Sequence, residues 1–283
     1  MNPKKIGLNI ILFFCLIFLL INCTSKSAQA KIMRDRRSQN SLNVEERREV
    51  RENIRSVKLK YYPSSTTNQI INHNYYTASY SEKDEQSEWV AYKITSKNFN
   101  DHIERTNDYR EDPFVKTKSA TPNDYHGNGY DMGHMAPAHA MAHNEIAMSE
   151  SFYLSNISPQ KASFNRGIWK ALEGKVSYWS SFNDSIYVVT GPILDHPIET
   201  IGESKVSVPR AFYKTLLAFK KGEIKAIAFI MPNEKSDKSI YSYAVSIDEV
   251  EALTGINFYQ NLDLKIQDSL EAKKDIKSWI SIK

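Results

Sequence analysis

Two consecutive apolar runs constrain the fold more than any other feature of the chain. Ala211-Phe-Tyr-Lys-Thr-Leu-Leu-Ala-Phe219 and Ile224-Lys-Ala-Ile-Ala-Phe-Ile-Met231 are separated only by Lys220-Lys-Gly-Glu223. Aromatic and β-branched runs joined by so short a Gly-containing link predict a β-hairpin. Ser185-Ile-Tyr-Val-Val-Thr-Gly191, stopped by Gly191-Pro192, adds a buried strand. Glu88-Trp-Val-Ala-Tyr-Lys-Ile-Thr95 alternates and adds another. Helices are expected between strands, over Asn165 to Trp179 and over Ser246 to Leu253. The second opens with Ser246-Ile-Asp-Glu249, a capping-box spacing. Strands and helices in this order predict an α+β domain.

The domain is expected at residues 60–262, because no repeat and no Pro- or Gly-rich linker divides that span. Of the 283 residues 41% are hydrophobic, enough for one sizeable core. Residues 263–283 carry Leu270, Ile276, Trp279 and Ile280 in a charged background, and predict a C-terminal helix packed on the body. Both cysteines, Cys15 and Cys23, lie near the N-terminus. The body therefore has no disulfide and no cysteine zinc site.

Residues 1–23 place Lys4 and Lys5 before an apolar run from Ile10 to Ile21. That is the pattern of a secretory signal, and the run is short for a membrane span. Leu20-Ile-Asn-Cys23 resembles a bacterial lipoprotein processing site, although Asn22 stands where that pattern has a small residue. The expectation is an exported protein held to a membrane by a lipid on Cys23, on the periplasmic side or the cell surface, and otherwise secreted. Residues 24–59 read as a stalk, with ten basic and five acidic side chains from Lys31 to Lys60 and a short charged helix starting near Asn43. The stalk is a solvated spacer or a basic arm facing phosphate. Without Lys4 and Lys5, the balance of 37 basic to 33 acidic residues becomes 35 to 33. A polyanion would have to be bound by a local basic surface.

Chemistry concentrates in two stretches. In Gly129-Tyr-Asp-Met-Gly-His-Met-Ala-Pro-Ala138, His134 sits on a backbone specified by Gly133 and Pro137. An imidazole can take a proton near neutral pH, which suits His134 as a general base. Taken alone, a histidine in a turn is more often structural. Phe152-Tyr-Leu-Ser-Asn-Ile-Ser-Pro-Gln160 is followed by Phe164-Asn-Arg-Gly-Ile-Trp-Lys-Ala-Leu-Glu173. On one continuous helix, Asn165 and Glu173 would be separated by roughly 12 Å of rise and about 80° of rotation. They would then border one cleft without jointly gripping a small ion. Mg²⁺ needs only one or two protein oxygens, so a direct Asn165 and a water-mediated Glu173 are compatible with it.

These blocks resemble the DNA/RNA non-specific endonuclease family, the ββα-metal group that includes secreted bacterial nucleases and mitochondrial endonuclease G. Val188-Val-Thr-Gly-Pro-Ile193, Val208-Pro209 before Phe212-Tyr-Lys214, Met231-Pro-Asn233 and Val250-Glu-Ala-Leu-Thr-Gly-Ile256 continue the likeness in order. The resemblance implies a single domain with an antiparallel-rich sheet and a ββα-metal core. It implies DNA and RNA as substrates, Mg²⁺ as cofactor with Mn²⁺ or another divalent ion able to substitute, and 5′-phosphate products. His134 becomes the base, Asn165 the metal ligand and Glu173 the residue ordering metal-bound water. Arg105 is assigned to phosphate contact, with Arg110 and Arg166 as competitors. Arg166 and Asp131 are assigned to substrate binding. A homodimer is an anticipated assembly. Met132 stands where the family has an arginine, and so removes a positive charge beside the phosphate. The competing reading is a weakened nucleic-acid- or host-binding lipoprotein on the same fold. The other histidines, including His139 and His143 at i,i+4 spacing, are read as surface or packing residues.

Overall fold

The computed structural model describes residues 61–99 and 103–280. The leader, the stalk with its expected helix near Asn43, and Cys23 lie outside the described residues. No described helix is long and apolar enough to cross a membrane.

The centre is a seven-stranded sheet, antiparallel throughout. In spatial order its strands are β1 (Ile70–Asn72), β2 (Tyr76–Ser81), β3 (Gln86–Ile94), β6 (Ser185–Pro192), β9 (Ala211–Lys220), β10 (Glu223–Pro232) and β11 (Ala244–Val245), while β7 (Thr200–Ile201) and β8 (Val206–Ser207) pair with each other outside it. The hairpin read from the sequence forms with Lys220 opposite Glu223. Its two turn residues, Lys221 (φ 49°) and Gly222 (φ 86°), are both left-handed, the conformation that matches strand twist in a two-residue loop.

Strand periodicity divides β9 between two cores. Phe212, Leu216 and Ala218 enter one apolar cluster, while Tyr213 and Leu217 enter the other. The first face is covered by helix α2 (Lys170–Ser180), through Leu172, Val176 and Trp179. The second is covered by helix α3 (Ile247–Thr254), through Ile247 and Val250. Helix α3 has the expected capping box: Glu249 N donates to Ser246 Oγ (3.1 Å) and Ser246 N to Glu249 Oε2 (2.7 Å). It ends at Gly255 in the left-handed region.

Two expectations need correction. The stretch from Asn165 to Trp179 is not one helix. Gly167 leaves helical geometry (φ −103°, ψ −113°), and the regular helix runs only from Lys170 to Ser180. The C-terminal segment is not one helix either. It folds as α4 (Leu264–Glu271) and α5 (Lys277–Ile280). Burial explains the break: Trp179 Nε1 donates to Trp279 O (2.9 Å), the two indole rings lie 4.8 Å apart, and Trp279 is buried. A straight continuation of α4 would forgo that contact.

Candidate active site

Beside the sheet, β4 (Tyr130–His134) pairs antiparallel with β5 (Ile157–Lys161), and the chain then turns through Asn165 into α2. This two-stranded ribbon and helix hold the chemistry. Opposite Gly133 and its neighbours runs β5, whose Gln160 side chain passes so close that a Cβ on Gly133 would lie 2.2 Å from Gln160 Cδ. Only glycine permits that approach. Beyond the strand, Met135 N donates to Asn156 O (2.9 Å), Ala136 N to Asn156 Oδ1 (2.9 Å), and Asn156 Nδ2 to Ala136 O (3.0 Å). A wholly buried asparagine thus clamps the segment that follows the histidine.

His134 is 8% exposed, and its Nε2 has no hydrogen-bond partner. The ring lies edge-on to Phe152 (4.9 Å) and tilted against Tyr109 (5.7 Å). Burial, and then the charge of Arg105, push its pKa down to about 3. The imidazole is therefore neutral at neutral pH but a weak base, and an anion entering beside Arg105 would raise its affinity for a proton.

Arg105 Nε donates to Asn107 Oδ1 (2.7 Å), one Nη donates to Tyr109 Oη (3.0 Å), and the guanidinium lies 4.8 Å over the Phe152 ring. Two of its five N–H groups are so used, leaving others for an anion. Arg110 is committed elsewhere, to Asp108 and Ser149 and over the ring of Tyr153. Of the competitors for phosphate contact, it is the least free.

Asp131 and Arg166 meet each other. Arg166 Nε and Nη2 donate to Asp131 Oδ2 (2.8 Å) and Oδ1 (2.6 Å). Asn165 Nδ2 also donates to Asp131 Oδ2, at 2.9 Å. Burial raises the Asp131 carboxyl pKa, but these donors outweigh it and hold the group below its usual range. Both carboxylate oxygens of Asp131 are thus engaged, and its contacts tie together Asn165 and Arg166. With its amide nitrogen engaged, Asn165 has Oδ1 left for a cation.

Glu173 lies in the first turn of α2, in the same cavity, and makes no hydrogen bond or ion pair with another described residue. Burial raises its pKa, opposed by the charges of Lys214, Arg105 and Lys170. An amide oxygen, a carboxylate and room for water form a hard oxygen donor set, which fits Mg²⁺. Among the described residues, a separate group of three carboxylates (Asp248, Glu251, Glu271) is on α3 and α4, over the other sheet face.

The sequence reading gave Lys214 no role. It is fully buried, donates to Thr190 Oγ1 (2.6 Å) and lies 4.6 Å over the Trp169 ring. Burial lowers its pKa, and Glu173 opposes this. The available signal was a lysine at a core-facing position of β9, between Phe212 and Leu216. Together these side chains line a cavity of about 880 Å³, whose charged members are Arg105, Arg166, Lys170 and Lys214 against Asp131 and Glu173. Four cations against two carboxylates leave this lining with a net positive charge. Met132 also lines the cavity, while packing against the cluster of Tyr125, Leu154 and Ile157. His139 and His143 do not share a helix, because α1 (Ala138–Met141) ends between them.

Residues 56–265 match the family model described as DNA/RNA non-specific endonuclease. Nuclease C1 of Cunninghamella echinulata var. echinulata is 33% identical over 225 residues, covering 73% of this chain and 88% of its own length. Human mitochondrial endonuclease G is 31% identical over 202 residues, covering 66% of this chain and 68% of its own. A chain in the crystal structure of the EndoG/EndoGI complex superposes with a TM-score of 0.69 at 29% identity, covering 75% of this chain and 93% of that one. Fold, motif order and relatives agree: the chain belongs to the DNA/RNA non-specific endonuclease family.

Proposed function

We propose that this cleft hydrolyses phosphodiester bonds of both DNA and RNA with Mg²⁺, leaving 5′-phosphate and 3′-hydroxyl ends. The observation that carries the reading is the buried, unpartnered Nε2 of His134 in the same cavity as Asn165 and Glu173. Mg²⁺ would be held directly by Asn165 Oδ1 and through water by Glu173, and when bound it supplies positive charge at the scissile phosphate and the leaving oxygen. His134 removes a proton from the attacking water, and a water oriented by Glu173 gives one to the departing 3′-oxygen. Arg105 holds a non-bridging oxygen with the N–H groups its neighbours leave free. Attack by water needs no 2′-hydroxyl, so the sugar does not decide the outcome. Recognition through phosphate carries little base information. Mn²⁺, another hard oxygen-seeking ion, is expected to substitute.

His134→Ala should abolish Mg²⁺-dependent cutting of supercoiled plasmid and single-stranded RNA, with EDTA having the same effect on the wild type. General-base removal costs about 10²–10⁴-fold. A variant that cuts at the wild-type rate would refute the assignment. Persistence of His134, Asn165 and Glu173 in one cavity argues against the weakened binding protein, since binding alone needs none of the three.

The same reading takes residues 1–23 as an export signal and 24–59 as a spacer, with the enzyme tethered through a lipid on Cys23. Cell fractionation tests this: Cys23→Ala should move the protein from the membrane to the soluble fraction. An unchanged membrane fraction would remove the lipid anchor.

A further inference from the structure

The cavity extends well beyond what the chemistry at His134 uses. At about 880 Å³ it has the size of a site for a whole small ligand. Its cationic lining comes from the Arg105 loop, the turn from Asn165 to Lys170, and β9. A different end is built where β3, the single turn Ser96–Phe99, α1 and the second turn of α2 converge. Ile94, Phe99, Pro137, Ala138 and Val176 make that end apolar. Asn98 Nδ2 donates to Ala140 O (3.3 Å) and so ties the turn to α1. The Phe99 and His139 rings lie 5.1 Å apart at 40°. Phe99 is half-buried and packs against the main apolar cluster while His139 is exposed, so this ring pair sits where the core meets the mouth of the cleft.

The sugar–phosphate backbone is anionic and belongs with the cations. The part of a nucleotide that suits an apolar, ring-rimmed recess is the base, through its π-face. Bases inside a duplex have both faces covered, so only an unpaired or extruded base can enter. Pro137 and Ala138 follow His134 within four positions, so the entering base belongs to a nucleotide flanking the scissile bond. We propose that the Phe99–His139 end of the cleft is a base-stacking subsite, which makes unpaired polynucleotide the preferred substrate class. The proposal rests on the phosphodiesterase reading above.

The test uses two single-stranded oligomers, one all-thymidine and one with a central abasic residue. Cleavage is mapped bond by bond with Mg²⁺, and binding is measured by fluorescence anisotropy in EDTA. Wild type should cut beside thymidine about tenfold faster than beside the abasic residue, the scale of one base stack. In Phe99→Ala/His139→Ala that ratio should fall to near one, and Phe99→Trp should retain it. His139→Ala alone, on an exposed side chain, should lower the ratio in part if the double variant fails to fold. Equal cutting of the two oligomers by wild type, or a preference that survives the variants, overturns the subsite and leaves the nuclease intact. If neither oligomer is cut, the phosphodiesterase reading falls. The anisotropy then decides the subsite: equal affinities overturn it, and tighter thymidine binding lost in the variants upholds it.

Discussion

Replacing Asp131 by alanine tests whether the metal site depends on a residue that touches no metal. The Asp131 side chain is 17% exposed and accepts three hydrogen bonds, one from Asn165 and two from Arg166. Arg166 is 74% exposed, so its loss of a partner costs little stability. The loss falls on Asn165, whose amide is left without the acceptor that fixes its orientation. A hydrogen bond to a charged group contributes about 1.5–3 kcal/mol, or roughly 10- to 150-fold in population of the metal-facing orientation. Partners behind a metal ligand typically contribute about 10–100-fold, a compatible range. Plasmid nicking titrated with Mg²⁺ should therefore show half-saturation raised by about 10–100-fold in Asp131→Ala, with a smaller fall in the limiting rate. Asp131→Asn, which keeps an acceptor oxygen without the charge, should lie between. Arg166→Ala should change the KM for nucleic acid more than the metal requirement. Half-saturation within twofold of wild type in Asp131→Ala would refute the orienting role.

Two stability predictions follow from other contacts. Gly133→Ala forces a Cβ against the buried Gln160 and should cost about 1–3 kcal/mol, lowering the melting temperature by several degrees. A melting temperature equal to wild type would show that Gln160 moves aside freely. Glu271 on α4 is pushed up to about 7, by burial first and then by Glu251, with Asp248 and Asp268 adding to the effect and Gln267 opposing it. Between pH 4.5 and about 7 the unfolded chain ionises this group while the folded chain keeps its proton, so its contribution to stability is lost as pH rises. Glu271→Gln should therefore melt higher than wild type at pH 8, and the advantage should vanish below about pH 4.5. Melting curves that stay parallel across this range would contradict the shift.

The strands and the hairpin at Lys221-Gly222 were legible because strand periodicity and turn residues are local signals. The capping box at Ser246 is local for the same reason. Candidate chemistry was legible because His134, Asn165 and Glu173 stand in ordered motifs that resemble a family. The break at Gly167 was not, because polar and apolar spacing from Asn165 to Trp179 suits an unbroken helix equally well.

The sequence alone determined the family motifs that single out the candidate residues and the periodicity of the strands that support them. Tertiary structure decided how those residues are used. It set Asp131 against Asn165, 34 positions away, and so engaged the amide nitrogen while leaving Oδ1 free of that contact. It buried Lys214 on the face that meets α2, and brought Phe99 beside His139 to rim the cleft. Such contacts join distant segments through packing, and packing leaves no period in the chain. Residues that share a cavity can be read from sequence only when a motif already places them together.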